Sequence, residues 1–254
     1  MTIEEVKAKY PYLYETHMHT NQGSLCGNNT GAEMADCYKA YGYTGIIITD
    51  HNWGGNTCVD RSLPWEEWVD KFFMGYDSAK KRGDEIGLQV FPGWEAGYGG
   101  PEFLIYGVSP SELKKHPELW NASIPEQYRI VHSLGGMVIQ AHPFRKAWYI
   151  DYAKVFYEYA DGVEMLNSGH THPADGGTDR YICDERATEL VKRLGLRATA
   201  GSDQHSTVSL GGGVKFPTKL ASLEDYMDRI MGRADYVLTN GRQYFSNKGE
   251  LLAE

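Results

Sequence analysis

The sequence predicts an α/β fold of the barrel type, and three observations carry that expectation. Short apolar runs bounded by turn residues alternate with segments of helical periodicity along most of the 254 residues. One run, TGIIITD at 44–50, is apolar almost without a break, as a parallel strand covered on both faces must be. Ligand-type polar residues recur directly after the runs, at the carboxyl ends of strands, where parallel barrels assemble their sites.

Element by element, residues 12–19 predict a strand, and 31–42 a helix with Met34, Cys37, Tyr38 and Tyr41 at helical spacing. After the strand at 44–50 comes an amphipathic helix at 65–82, closed by Gly83. Strands follow at 88–94 and 103–108. A helix at 125–134 starts with proline and stops at Gly135-Gly136. Strands at 137–141 and 162–166, a helix at 180–194 ending at Gly195 and a strand at 197–201 continue the rhythm. A serine-capped helix at 222–231 and a strand at 236–239 close it. Gly211 to Gly213 lack the GK(S/T) of a phosphate loop and read as a turn. No repeat, low-complexity tract or linker divides the sequence, so residues 1–254 read as one domain.

Bulk properties narrow the function. A net charge of −9 argues against a long nucleic-acid partner, because phosphate neutralisation needs clustered Lys and Arg. No apolar tract is long enough to cross a bilayer, and MTIEEVKAKYPYLYE has acids where a signal peptide needs a basic flank, so a cytoplasmic protein is expected. Cys26, Cys37, Cys58 and Cys183 form no CxxC pair and read as free thiols.

The chemistry-bearing residues sit at five strand ends. His17 and His19 flank Met18; side chains alternate along a strand, so both imidazoles can reach one ion. Asp50-His51 follows IIIT, with His51 as ligand and Asp50 either orienting it or binding metal directly. Glu95 follows an apolar run; a carboxylate there can bridge two cations, or simply serve a turn. His142 follows MVIQA, with its backbone restricted by Pro143. Arg145 beside it suits a phosphate oxygen or a surface ion pair. Asp203 and His205 follow RATAGS at i and i+2. Singly, each pattern has an ordinary explanation as a turn or strand-end residue; jointly they predict a metal centre. Asn167, at the end of VEML, reads as a substrate contact or a turn amide. His170 and His172, in the loop GHTHPADGG, read as a rim segment that touches substrate rather than as a ligand pair. Trp53 and Trp94 flank ligand positions and read as core packing ahead of stacking on a base or ring, and His116 and His132 read as surface residues.

The order HMH, TDH, a Glu after a strand, AHP and GSDQH resembles the polymerase and histidinol phosphatase (PHP) family, over about residues 12–205. The resemblance implies a distorted (β/α)7 TIM-like barrel that hydrolyses a small phosphate ester or short nucleotide with a metal-activated water, using two or three divalent ions such as Zn, Mn or Fe. It implies one ion held by His17, His19, Glu95 and Asp203, a second shared by Glu95 and His142, and a third position faced by His51 and His205. Arg145 and Asp50 would assist the reaction. Two places depart from the family. Where another His or acid follows the HxH, TNQGSLCG offers only Gln22, Ser24 and Cys26; where a His follows the bridging Glu, Leu104 stands. The first departure weakens the third ion and the second weakens the second. The alternatives are an amidohydrolase-type metal hydrolase, and a degenerate barrel that binds metal or ligand without catalysis.

Overall fold

The computed structural model describes residues 1–148, 150, 152–171, 180–207 and 211–254, with only the backbone of 170, 171 and 180–182. The elements run α1 (Ile3–Lys9), β1 (Tyr12–Glu15), α2 (Gly31–Ala40), β2 (Gly45–Ile48), α3 (Trp65–Phe72), α4 (Met74–Ile86), β3 (Gln89–Gly97) and β4 (Glu102–Tyr106). They continue α5 (Pro110–Leu113), α6 (Ile124–Ser133), β5 (Met137–Gln140), β6 (Gly162–Asn167), α7 (Ser168–Thr171), α8 (Arg180–Leu194) and β7 (Arg197–Gly201). β8 (Gly212–Phe216), α9 (Leu223–Met231), β9 (Val237–Asn240), β10 (Tyr244–Ser246) and β11 (Leu251–Ala253) complete them.

Among the described residues, eleven strands form one curled sheet in the order β11-β10-β9-β8-β1-β2-β3-β4-β5-β6-β7. This corrects the expected (β/α)7 barrel. Only β1-β2, β2-β3, β5-β6 and β6-β7 pair in parallel. β3-β4 and β4-β5 are antiparallel, because a short turn replaces the crossover helix between β3 and β4. β8 to β11 extend the sheet antiparallel on the other side of β1. The result is a half-barrel rather than a ring of βα units.

At one end the curl nearly closes. Beyond β1 and β7 the chains meet in a parallel bridge, Met18↔Gln204. His19 N–H donates to the Gln204 carbonyl at 2.8 Å and Asp203 N–H to the His17 carbonyl at 2.8 Å. Glycine permits the approach: a Cβ on Gly201 would lie 2.5 Å from the His17 Cβ, and one on Gly212 would lie 2.5 Å from the Gly201 carbonyl oxygen. The stretch read as a turn at Gly211 to Gly213 is therefore the start of β8, glycine-rich because β7 folds back against it. α9 packs near the other end, where Tyr226 meets Tyr106 and Phe216 edge-on with centroids at 5.5 and 6.2 Å. That cluster, with Tyr14, Ile139, Met165 and Leu238, fills the inside of the curl. Helices α2 and α4 cover β1 to β3 on the outer face through Met34, Tyr38, Ile46, Ile48 and Ala79.

The helix expected at 65–82 is two. α3 ends at Phe73, α4 runs on to a left-handed Gly87, and Gly83 lies inside α4, where a Cβ would strike Val90 at 2.6 Å. Trp53 and Trp94 are core residues, as read. Among the described residues, no helix is long and apolar enough to cross a membrane.

Lys215 of β8 is buried, paired across the ladder with Leu13 and Val237. Burial pulls its ammonium down from 10.5 to about 8. Below about pH 8 the charge is buried at a cost. Between about 8 and 10.5 the folded chain releases the proton before the unfolded chain does, so stability rises with pH. Lys215→Met should therefore melt a few degrees higher than wild type at pH 7, with the gap closing over that window in calorimetry; equal melting at both ends would contradict the assignment.

Candidate metal centre

Strand ends place the histidines and acids, and hydrogen bonds from behind aim them. Glu15, the last residue of β1, is fully buried. Its Oε1 accepts the backbone N–H of Thr16 at 2.9 Å, of His17 at 3.0 Å and of Ser202 at 2.9 Å, so one carboxylate binds both sides of the β1–β7 seam. Burial pushes Glu15 up to about 7 even against these donors.

His17 Nδ1 lies 2.9 Å from Glu164 Oε1, which turns Nε2 toward Glu95 Oε1 at 3.3 Å and Asp203 Oδ1 at 3.5 Å. His19 Nε2 lies 3.1 Å from Asp203 Oδ1 and 3.4 Å from Glu95 Oε2. The ligand atoms of His17, His19, Glu95 and Asp203 all fall within 4.8 Å of one another. Glu95 is on β3, which runs past the predicted end at Trp94 because β4 pairs with it; it is bridged to His51 by backbone bonds. His142 Nε2 reaches Glu95 Oε1 at 3.1 Å and Asp203 Oδ2 at 3.7 Å. His51 Nδ1 reaches Glu95 Oε2 at 2.9 Å. His205 stacks on His19 at 4.6 Å, its Nε2 3.8 Å from Asp203 Oδ1. All seven predicted ligand positions thus converge.

Two of them hold uncommon backbone conformations: His142 has φ +23° and Asp203 has φ +53°. Pro143 restricts the backbone at His142, and the positive-φ turn there lets His142 N–H donate to Glu164 Oε2 at 3.0 Å. Such strain is most common where a site holds side chains in place.

The remaining predicted residues lie around this cluster. Asp50 touches neither the His51 ring nor the ligand atoms; it accepts from Thr20 N–H, Thr20 Oγ1 and Ser24 Oγ, each at 2.7 Å. Ser24 Oγ in turn accepts His51 N–H at 2.9 Å, so Asp50 acts on His51 through Ser24. Burial raises the Asp50 carboxyl to about 6. Arg145 Nη2 is ion-paired with Glu102. Asn167 is buried; its Nδ2 donates to Glu164 Oε2 at 2.9 Å, and its N–H to Asp184 Oδ1 at 3.1 Å. His170 has described backbone but no described side chain, and His172 lies outside the described residues.

Three residues that were not proposed as ligands complete the picture. Glu164 aims His17, as described above. Glu102 comes from β4, two residues before Leu104 and on the same face, with Oε2 3.6 Å from His142 Nε2 and Oε1 4.0 Å from His51 Nδ1. Cys26 lies with His19, His51 and His205, ligand atoms within 4.8 Å.

Electrostatics test whether cations fit. His17 Nε2, His51 Nδ1 and Glu95 Oε2 are buried and make no hydrogen bond, although they face oppositely charged or polar atoms. Against the cost of burial, His17 and His51 hold the Glu95 carboxyl well below the usual carboxylate range, and His17 does the same for Asp203. Burial, with His51 adding to it, pulls His19 down to about 3, leaving a neutral imidazole whose lone pair is available. A cation entering this space would displace the protons that His17 and His51 hold against the carboxylates, and the nitrogen and oxygen lone pairs so freed are the donor set of borderline divalent ions. The residues fit a metal centre. A cavity of about 610 Å³ lies elsewhere, lined by Leu166, Asp184, Lys192, Arg242 and Phe245; the Asn167–Asp184 bond connects it to the cluster.

Known proteins share this architecture. A family model described as PHP-associated matches residues 184–233, from α8 to just past α9, the stretch that carries Asp203 and His205. A two-domain protein of Bacteroides vulgatus, containing a predicted PHP-like metal-dependent phosphoesterase, superposes with a TM-score of 0.67 at 16% identity, over 89% of this chain and 64% of that one. The fold is PHP-like. The chain thus spans less than two thirds of that relative. A Bifidobacterium adolescentis protein assigned as a metal-dependent phosphoesterase aligns with TM-score 0.52 at 16% identity, over 87% of this chain and 96% of its own. A Chromobacterium violaceum amidohydrolase, at TM-score 0.46 and 15% identity over 76% and 87%, is too distant to weigh. No curated protein matches.

Metal should stabilise the chain. At a hundredfold excess over Kd, binding to the folded state alone adds about 2.7 kcal/mol, or roughly 5–10 °C in Tm. Glu164→Gln, which loses the charge that aims His17, should cut metal affinity roughly 10–100-fold. Melting scans with Zn or Mn and with chelator read both; a Tm indifferent to metal would contradict the fit.

Proposed function

We propose that the chain is a metal-dependent phosphoesterase acting on a small phosphate ester or short nucleotide, its machinery carried by one domain. The observation that supports this reading is the joint approach of His17, His19, Glu95 and Asp203 to within 4.8 Å, with His51 and His142 on the same Glu95 carboxylate. His17, His19, Glu95 and Asp203 would hold one divalent ion. Glu95, His142 and Glu102 would hold a second. Zn, Mn and Fe all suit these donors. Bound cations would supply Lewis acidity to a phosphoryl oxygen and make a water acidic enough to serve as nucleophile near neutral pH.

The chain's own residues do the rest. Glu164 keeps the Nδ1 proton of His17 in place, which leaves Nε2 as the donor into the cluster. Asp50 and Ser24 fix the turn that carries His51. Arg145 lines a small cavity of about 40 Å³ together with Glu102 and His142, which puts one cationic side chain beside the proposed second ion. A phosphoryl group seated there would meet Arg145, whose planar fork suits two of its oxygens.

The bridging group distinguishes this reading from the amidohydrolase alternative, which uses a lysine where Glu95 stands. The non-catalytic alternative rested on gaps at Gln22 and Leu104; Glu102 and Cys26 bring donors to the same two regions. His17→Ala and Asp203→Ala should each lower turnover of a phosphoester at least about a hundredfold, whereas amides and lactones should not turn over. Assays of metal-loaded wild type and both variants on phosphomonoesters, phosphodiesters and lactones check this; full turnover in either variant, or a lactone preferred over every phosphoester, would overturn it.

A further inference from the structure

We infer that Cys26 is a metal ligand, forming with His51 and His205 a thiolate-bearing cation position beside the Glu95 cluster. The inference rests on the metal reading above and adds to it the chemistry of one position. The ligand atoms of His19, Cys26, His51 and His205 lie within 4.8 Å of one another. His19 turns its Nε2 to Asp203 and Glu95 and so belongs to the neighbouring cluster. That leaves Cys26, His51 and His205: three protein ligands and an open place, the count of a catalytic rather than a structural zinc position.

The loop that carries Cys26 is built to hold it there. Two residues before it, Ser24 accepts the backbone N–H of His51 at 2.9 Å, and Ser24 is itself held by Asp50 at 2.7 Å. Two residues after it, Asn28 donates to the His205 carbonyl from its backbone at 2.7 Å and from its side chain at 3.2 Å. The cysteine is thus suspended between the backbones of the two histidines it would join. Leu25 N–H bonds the Asn56 carbonyl at 2.9 Å, and Gly27 passes so close to Thr20 that a Cβ would lie 2.2 Å from its carbonyl carbon, which fixes the fold-back of the loop. The thiol is free and half-buried, with no disulfide partner among the described residues. A thiolate is a soft donor, so this position should favour Zn or Co over Mn and Mg, while the oxygen-rich cluster around Glu95 does not share that preference.

Cobalt reports the ligand directly. The full chain, stripped of metal and titrated with Co²⁺, should develop a near-ultraviolet sulfur-to-cobalt charge-transfer band beside its visible d–d bands. Cys26→Ser should lose the band and one equivalent of bound cobalt while keeping the remainder. Cys26→His should recover the equivalent without the band. Visible cobalt bands with no charge-transfer band in wild type, or an unchanged stoichiometry in Cys26→Ser, would overturn the inference. No cobalt binding at all would overturn the metal reading with it. A charge-transfer band in a protein that hydrolyses no phosphoester would support the ligand assignment and sink the proposed activity alone.

Discussion

The site depends on one seam. The chain leaving β1 is bonded to the chain leaving β7, through His19 to Gln204 and Asp203 to His17, with Glu15 accepting from both sides. Residues some two hundred positions apart become neighbours only by this closure. Remove it and the HxH pair would face the open edge of a sheet rather than Asp203. The cost is a fully buried carboxylate at Glu15, which is offset by donors whose own pairing it completes.

A second constraint follows from burial. Imidazoles and carboxylates buried this closely together need either protons or cations between them. The arrangement shows how both demands are divided. Glu164 and Ser24 hold nitrogens from behind, and the forward-facing His17 Nε2, His51 Nδ1 and Glu95 Oε2 are left without hydrogen bonds. The strained backbones of His142 and Asp203 belong to the same economy, each aiming a donor that a relaxed strand end would not.

Much of this was legible in the sequence, because strand geometry is local. Alternation along a strand put His17 and His19 on one side, and apolar runs ahead of Asp50, His142 and Asp203 marked where strands would end. What was not legible depended on long-range contacts. Glu102 falls just outside the strand expected at 103–108, and only the antiparallel pairing of β4 with β3 brings it toward Glu95. Cys26 sits in a polar loop whose path is set by Asn56 and by His205, far away in sequence. Glu164 did carry a usable signal: an acid in the middle of the otherwise apolar run GVEML is almost never buried unless paired. The glycines of β8 looked like a turn because the need for them, close passage of β7, is itself tertiary. The barrel failed for a related reason. β3 and β4 are joined by a turn at 98–101, so β4 enters reversed and pairs antiparallel with β5 as well, although the helices α5 and α6 before β5 read in the sequence like an ordinary parallel crossover; the sheet is curled and extended rather than closed.

The chemistry of the site depends on cations occupying the space between these side chains. Anomalous diffraction from crystals grown with zinc or manganese, collected on either side of the metal edge, addresses it without any assumption about substrate. Peaks within about 2.0–2.3 Å of the donor atoms of His17, His19, Glu95 and Asp203 are the expected result. A map with no anomalous peak among those four residues, from a folded protein soaked in metal, would contradict it.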